Sequence, residues 1–503
     1  METTTDHKNV LLLGALALIL GLLHNILFIG EMIGANVFYY VLAILCAGFV
    51  LTRTFKKQID KPTLMLIIPL FFFSSMVFFR SSELLTFFNV LMCIGLLLII
   101  VGSFAERPIL KYLPLDYVKV AFMPLRFIAP FFETFPEIIA LRKLRSAHPV
   151  LREIVRGALF ALPALLFFGW LLASADQIFQ KLVNNLFSFS FDEETFARLF
   201  KIAFVAAFFV GMFGFMFKRI HPAPAPRASR LRTFGAVEVM VFLGSIGALF
   251  LAFIIIQFTY LFGGEAHLIA QGFTYAEYAR SGFVQLIWVA ILACALIVLL
   301  ERKIAQKDTQ HLISFKILSG IVVAEVVCIL ASAFTRLSLY EHAYGFTTIR
   351  LYSYAFMIWL ALFLTILFVH IVNGGAQEKF ALRGFVSVLV LLFAMNLLNP
   401  DAFIAARNIT RYHETGKIDT NYLARLSDDA IPVTIVLLSD GKESVRRDFA
   451  SDLYWTRMLS MLHGTLNWKS SRYAAFGADR MVIPHQRYLE ESNNLGLGGG
   501  GDI

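Results

Sequence analysis

The sequence predicts an all-α fold, a polytopic bundle of about 11 transmembrane helices with a small helical extramembrane region at its C-terminal end. Three observations predict it. Hydrophobic residues make up 58% of the 503-residue chain and charged residues 16%, with a mean hydropathy of +0.72, whereas about a quarter of an average soluble domain is charged. Runs of roughly 18 or more apolar residues, each able to cross the hydrocarbon core as a helix, recur from near the start to about residue 398. The runs are uniformly apolar rather than alternating, which excludes a transmembrane β-barrel.

The spans are predicted at 9–29, 36–52, 63–79, 84–104, 155–174, 199–217, 237–262, 282–300, 313–335, 353–373 and 381–398. The first lacks a small-residue cleavage site and leads directly into the second, so it reads as a retained helix rather than a signal peptide. Cys46, Cys93, Cys294 and Cys328 all fall within spans, without CxxC spacing or a nearby His. They are expected to be core or lipid-facing residues, neither disulfides nor metal ligands.

The net charge of +9 is read through its distribution, as orientation and not as a sign of nucleic acid. Lys and Arg number four at 53–62, nine at 105–156, five at 218–235 and four at 301–316. The intervening loops hold none at 30–35, one at 80–83, three at 174–201, one at 263–281 and two at 335–352. The positive-inside rule then places the first set and the N-terminus in the cytoplasm, and the C-terminal hundred residues outside.

The expected organisation is an N-terminal four-span region at 1–104, a cytoplasmic interfacial segment at 105–154, a seven-span core at 155–398, an extracytoplasmic helical region at 399–490 and a flexible Gly-rich tail at 491–503. Within 105–154, LDYVKVAFMPLRFIAPFFETF mixes large apolar residues with spaced charges and two prolines, the pattern of a broken amphipathic helix on a membrane surface. The basic LRKLRSAHPVLREIVRG that follows suits anionic lipid heads, a protein partner or a purely topological role. HPAPAPRASR at 221–230 reads as a stiff linker.

One polar cluster stands out. RLSLYEHAYGFTTIRLYSY at 336–354 places two arginines, a Glu, a His and several tyrosines between apolar runs, and SADQIF, GFTYAEYARSGF and NPDAFIAARN fall on the same predicted side. Their candidate binding residues are Tyr275, Glu277, Arg280, Arg336, Tyr340, Glu341, Tyr344, Arg350, Asn399 and Asp401. Local structure accounts for many of these equally well, as an aromatic belt, snorkelling arginines, a Thr274/Glu277 capping box and a helix stop at Gly345 with a restart at Thr347 and Thr348. Periodicity argues for more: Glu325, Ser332, Arg336 and Tyr340 share one helical stripe, and a carboxylate in mid-span is costly toward lipid, so Glu325 should face the bundle interior. No phosphate loop, HExxH or GxSxG motif occurs, and His267, His342 and His413 are scattered, so no metal or cofactor is expected, while a membrane transferase whose catalytic residues carry no compact signature stays open.

QFTYLFGG at 257–264, FTYAEYARSGF at 273–283, RLSLYEHAYGFTTIRLY at 336–352 and NPDAFIAARN at 399–408 together resemble bacterial polytopic membrane proteins catalogued as a domain of unknown function, of the four-one-five-three and four-one-seven-three type. The resemblance covers roughly residues 145–430 and is weaker over the first four spans. It implies a bacterial cytoplasmic-membrane protein and supplies no activity, cofactor or site residues. Three readings follow from the residues. In the first, an anionic envelope lipid or glycan precursor is bound or translocated at an Arg/Tyr/carboxylate pocket, with glycan or lipid transfer there as the enzymatic variant. Arginines supply planar bidentate contacts to phosphate or carboxylate, and a carboxylate could serve as base. In the second, the protein senses the envelope through a cytoplasmic partner at its basic loops; in the third, it couples transport to protonation of Glu325.

Overall fold

The computed structural model describes residues 2–28, 33–138, 193–217, 236–262, 283–301 and 309–462, and among these every regular element is helical. Eight helices among them are long and apolar enough to cross a membrane: Lys8–Leu27, Ala35–Thr54, Lys61–Phe79, Glu83–Ala105, Arg198–Phe217, Ile313–Tyr344, Thr348–Asn373 and Gln377–Leu398. Two more apolar stretches, Val239–Ile255 and Leu286–Glu301, are shorter. These ten coincide with ten of the predicted spans, and the chain is a multi-pass membrane protein. The predicted span at 155–174, the linker at 221–230 and the segment 463–503 lie outside the described residues.

Two compact units divide the chain, the first comprising 1–74, 93–109 and 115–222, the second 75–92, 110–114 and 223–503. In the first unit, α1 (Glu2–Leu27) is flanked by α2 (Ala35–Thr54) and lies along α8 (Glu193–Phe217). Backbones come close where side chains are smallest: a Cβ on Gly21 would stand 2.7 Å from the Ile202 carbonyl oxygen. In lipid, where no hydrophobic drive separates helix from solvent, such close approach is the main source of packing energy.

The hairpin of α3 (Lys61–Met65), α4 (Ile67–Phe79) and α5 (Glu83–Ala105) starts at a well-made cap. Asp60 accepts from the Thr63 N–H at 3.3 Å and hydroxyl at 2.7 Å, and Thr63 also shares a 2.6 Å hydrogen bond with Ser103, which satisfies the Ile109 N–H at 2.9 Å. Residues 105–138 form a broken helix: a 3-10 turn at Ile109–Lys111, α6 (Pro114–Val120), a second 3-10 turn at Met123–Phe127 and α7 (Ile128–Ile138). Pro124 near the start of the second turn fits that position because its missing N–H would be unpaired there anyway. Phe127 is buried against the Phe208 and Phe215 rings, both 5.5 Å away, so the broken helix is packed against α8.

In the second unit α9 (Ala236–Phe262), α10 (Phe283–Glu301) and α12 (Thr348–Asn373) surround α11 (Thr309–Tyr344), and α13 (Gln377–Leu398) packs on α12. Their shared core is aliphatic, with Leu243, Ala290, Val326, Met357 and Leu367 fully buried. Polar links run between helices: the Trp359 indole donates to Ser387 Oγ at 3.0 Å, and Asn89 and Asn396 exchange side-chain amide hydrogen bonds at 2.8 and 2.7 Å. At the end of the bundle where α10 finishes, His370 Nε2 sits 2.9 and 3.1 Å from the two Glu301 carboxylate oxygens, its ring stacked on Phe380 at 4.8 Å. Lys316 Nζ donates to the Val372 carbonyl at 3.0 Å, and left-handed Gly374 returns its N–H to His370 O, closing α12.

Beyond α13 come α14 (Pro400–Thr415), α15 (Thr420–Ala424), a 3-10 turn at Asp428–Ala430, α16 (Ile431–Thr434) and α17 (Glu443–Leu462). They enclose a core of their own, with Ile404, Ala405, Leu437 and Phe449 at its centre, which Leu351 of α12 joins.

Candidate functional site

The polar stretch at 336–354 is mostly helix. α11 continues to Tyr344, α12 begins at Thr348, and only three residues connect them. Gly345 makes the reversal possible: its φ of +80° is open to glycine at no steric cost, and its N–H closes α11 on the Glu341 carbonyl at 2.6 Å. Thr347 occupies the N-cap in extended conformation without a side-chain cap bond, so the restart is supported from outside the hairpin.

That support comes from the C-terminal helices. Asn408 of α14 reads the Phe346 backbone from both sides, accepting its N–H at 2.8 Å and donating to its carbonyl at 2.9 Å. Arg411, one turn on, donates to the Ala343 carbonyl at 2.7 Å. The Tyr422 hydroxyl of α15 accepts the Thr348 N–H at 2.8 Å and lies 3.2 Å from the Thr348 hydroxyl. Burial pushes this phenol above its ordinary value. Phe346 meets Phe403 edge-on at 5.7 Å. Helix ends leave backbone groups unpaired, and here α14 and α15 satisfy them.

Of the ten predicted binding residues, Tyr340, Glu341, Tyr344 and Arg350 come together at this tip. The Arg350 guanidinium lies 4.1 Å above the Tyr340 ring and 5.9 Å from that of Tyr344, and it donates to the Gly345 carbonyl. His342, Arg350, Arg407 and Arg411 are all close enough to act on the Glu341 carboxylate electrostatically. Arg407 is exposed and rests on the Phe403 ring at 5.3 Å, while Arg411 Nε is buried without a hydrogen-bond partner. Planar guanidinium edges gathered around one acid can accept a second anion in bidentate fashion.

Asn399 and Asp401 belong to a neighbouring, acidic group. Asn399 adopts a left-handed φ of 54° before Pro400, a conformation Asn tolerates better than most residues. Asp401, in the first turn of α14, is 4% exposed; its Oδ2 accepts the Ser427 N–H at 3.2 Å and its Oδ1 has no hydrogen-bond partner. Asp429 accepts the Ser81 N–H at 2.8 Å, and Arg80 Nε donates to the Asn396 carbonyl at 2.8 Å, so the turn between α4 and α5 is bound to the same region. Tyr422 is within electrostatic reach of both Arg350 and Asp401 and bridges the two groups. Among the described residues no set of three or more His, Cys, Asp or Glu is placed to hold a metal ion.

Arg336 is buried on α11 at 7% exposure, two turns below the tip, and Glu325 at 8% lies three turns deeper on the same stripe. Glu325 faces α9, where a Cβ on Gly247 would stand 3.4 Å from its Oε2. Tyr275, Glu277 and Arg280 lie outside the described residues. Sequence reading missed Asn408, Arg407, Arg411 and Tyr422. The available signal was the spacing of Asn408 and Arg411, three apart on one face of a helix whose other face is apolar.

A protein-family model described as a domain of unknown function, DUF4153, matches residues 67–437, which is 371 of the 503 residues. The match reaches further toward the N-terminus than the resemblance read from sequence and takes in the α4–α5 hairpin. No curated protein and no solved structure matches the chain.

Proposed function

From the premise that the chain belongs to the DUF4153 family, we propose that it binds or translocates an anionic amphiphile, an envelope lipid or glycan precursor, at the tip formed by α11, α12 and α14. The observation that carries this reading is the gathering of guanidinium groups at the tip: Arg350 lies over Tyr340, Arg407 rests on Phe403 and Arg411 reaches the Ala343 carbonyl, with Glu341 within their electrostatic reach. A gathering of guanidinium groups beside tyrosines suits a phosphate or carboxylate head carried by an apolar tail. The sparsity of basic residues in the loops on this side supports an extracytoplasmic site in a cell membrane, with lipid as the first partner.

The test uses the purified full-length protein, detected intact with its bound lipid by native mass spectrometry. The probes are undecaprenyl phosphate, phosphatidylglycerol and phosphatidylcholine. The anionic probes should be retained over the zwitterionic one, and Arg407→Ala should lower their retention roughly tenfold, the loss of one charge-assisted contact. Equal retention of all three, or retention unchanged by Arg407→Ala and Arg350→Ala alike, rules the reading out. The side is tested separately by a single cysteine at Ile349, which is 79% exposed, in a background without the native cysteines. A membrane-impermeant maleimide should label it in intact spheroplasts.

A further inference from the structure

Glu325 is independent of the tip. It sits in the interior of the Ile313–Tyr344 span, with Arg336 eleven residues further on, roughly 16 Å along the helix axis. Its carboxyl enters the α9–α11 interface, where Val322 and the bare backbone of Gly247 are its neighbours. Oε2 is fully buried there and makes no hydrogen bond.

A buried carboxyl in this position must be satisfied by something. An ionised, unpaired carboxylate in an apolar medium costs several kcal/mol or more. Among the described residues no cationic side chain answers it: α9, α10 and α12 are the helices packed on α11, and no charged group described on them acts on it. The charged groups on those elements are Glu238 of α9, nine residues from Gly247 along that helix, Arg350 of α12, which is held at the tip over Tyr340, and Glu301 of α10 and His370 of α12, which pair with one another at the bundle end, while the titratable Cys294 of α10 is buried in the aliphatic core. Lys316 and Arg336 are two to three turns away on α11 itself. A metal ion is a poor occupant, because hard cations need several oxygen ligands, and the described surroundings hold no such set. The cation that one carboxyl oxygen can take alone is a proton.

We propose that Glu325 is a proton-exchange site in the α9–α11 interface. It binds a proton when the interface is closed and releases it when the interface opens to water. Protonation removes the charge from the orphaned carboxyl without any second ligand, and deprotonation places an uncompensated charge against Gly247 and Val322, which favours separation of α9 from α11. The site would link proton availability to the packing of the bundle.

Infrared difference spectroscopy on the full-length protein reconstituted in lipid tests this directly, comparing the native chain with Glu325→Gln across a pH series. The expected result is a protonated-carboxyl C=O stretch that is present in the native protein at acid pH, missing from the variant, and reversibly lost as pH rises. A band absent at every pH would mean a permanently ionised group, and one that never disappears would mean a fixed neutral acid; either overturns the proposal. Should Glu325→Gln not accumulate, Glu325→Asp keeps the carboxyl, and the same band should shift in frequency. An identical spectrum in that variant would assign the band elsewhere and equally overturn the proposal.

Discussion

The two ends of the α11–α12 pair solve the same problem in opposite ways. At the end where α10 finishes, Glu301 pairs with His370, Lys316 donates to the Val372 carbonyl, and Gly374 closes the helix locally. At the tip, the helix ends are satisfied from a distance by Asn408, Arg411 and Tyr422, and Glu341 lies within electrostatic reach of three arginines and a histidine. A ligand is sought at the tip because guanidinium groups from two helices, Arg350 of α12 and Arg407 and Arg411 of α14, gather there beside tyrosines.

The sharpest way to break this contrast is at Gly345. Gly345→Val would force a β-branched residue into a left-handed conformation and drive a Cβ to 2.7 Å from Asn408 Oδ1. Strain and lost latch bonds together should cost about 3 kcal/mol or more. The loss should register as a lower thermal midpoint in detergent, together with accelerated hydrogen exchange in α14.

Asn408→Leu removes the latch while leaving the reversal intact. Two backbone groups of Phe346 lose their partner, for about 2–3 kcal/mol. Protease should then cut between α13 and α15 faster, with the Glu301–His370 end still protected. Equal loosening at both ends would show that the ends are not independent.

The converse lesion is smaller. His370→Ala deletes a ring stacked on Phe380 and leaves Glu301, whose side chain is 22% exposed, partly reachable by water. A destabilisation of about 2 kcal/mol is expected, seen as faster exchange at the start of α11 and the end of α12. Retention of anionic lipid at the tip should be unaffected, and a loss of binding there would dissolve the distinction between the two ends.

The bundle was legible in the sequence because lipid imposes a simple rule: an apolar run long enough to cross must be a helix. All ten predicted spans that fall on described residues are helical, and the stripe from Glu325 to Tyr340 followed from periodicity alone. The tip was legible only on its own chain segment. Arg350, Tyr340 and Glu341 stood out because they interrupt an apolar pattern, but Asn408 and Tyr422 reach Phe346 and Thr348 across 62 and 74 residues. The local signal of such a partner is faint, no more than the three-residue spacing of Asn408 and Arg411 on one helix face, since an Asn on a polar helix face otherwise looks like any solvated residue. Asp401 was singled out with the arginines, yet it sits among acidic neighbours, because sequence position could not distinguish two adjoining groups of opposite sign.

The distance between latch and hairpin also has a temporal meaning. Phe346 leaves the ribosome 62 residues before Asn408, so the hairpin is threaded into lipid while the backbone at its turn still has only water or headgroups to bond. Chains elongate at about 5–20 residues per second, which leaves several seconds before α14 can arrive. During that interval the reversal rests on Gly345 and on the Arg350 contact to its carbonyl, and a chaperone or insertase that recognises bare turns would find its substrate there.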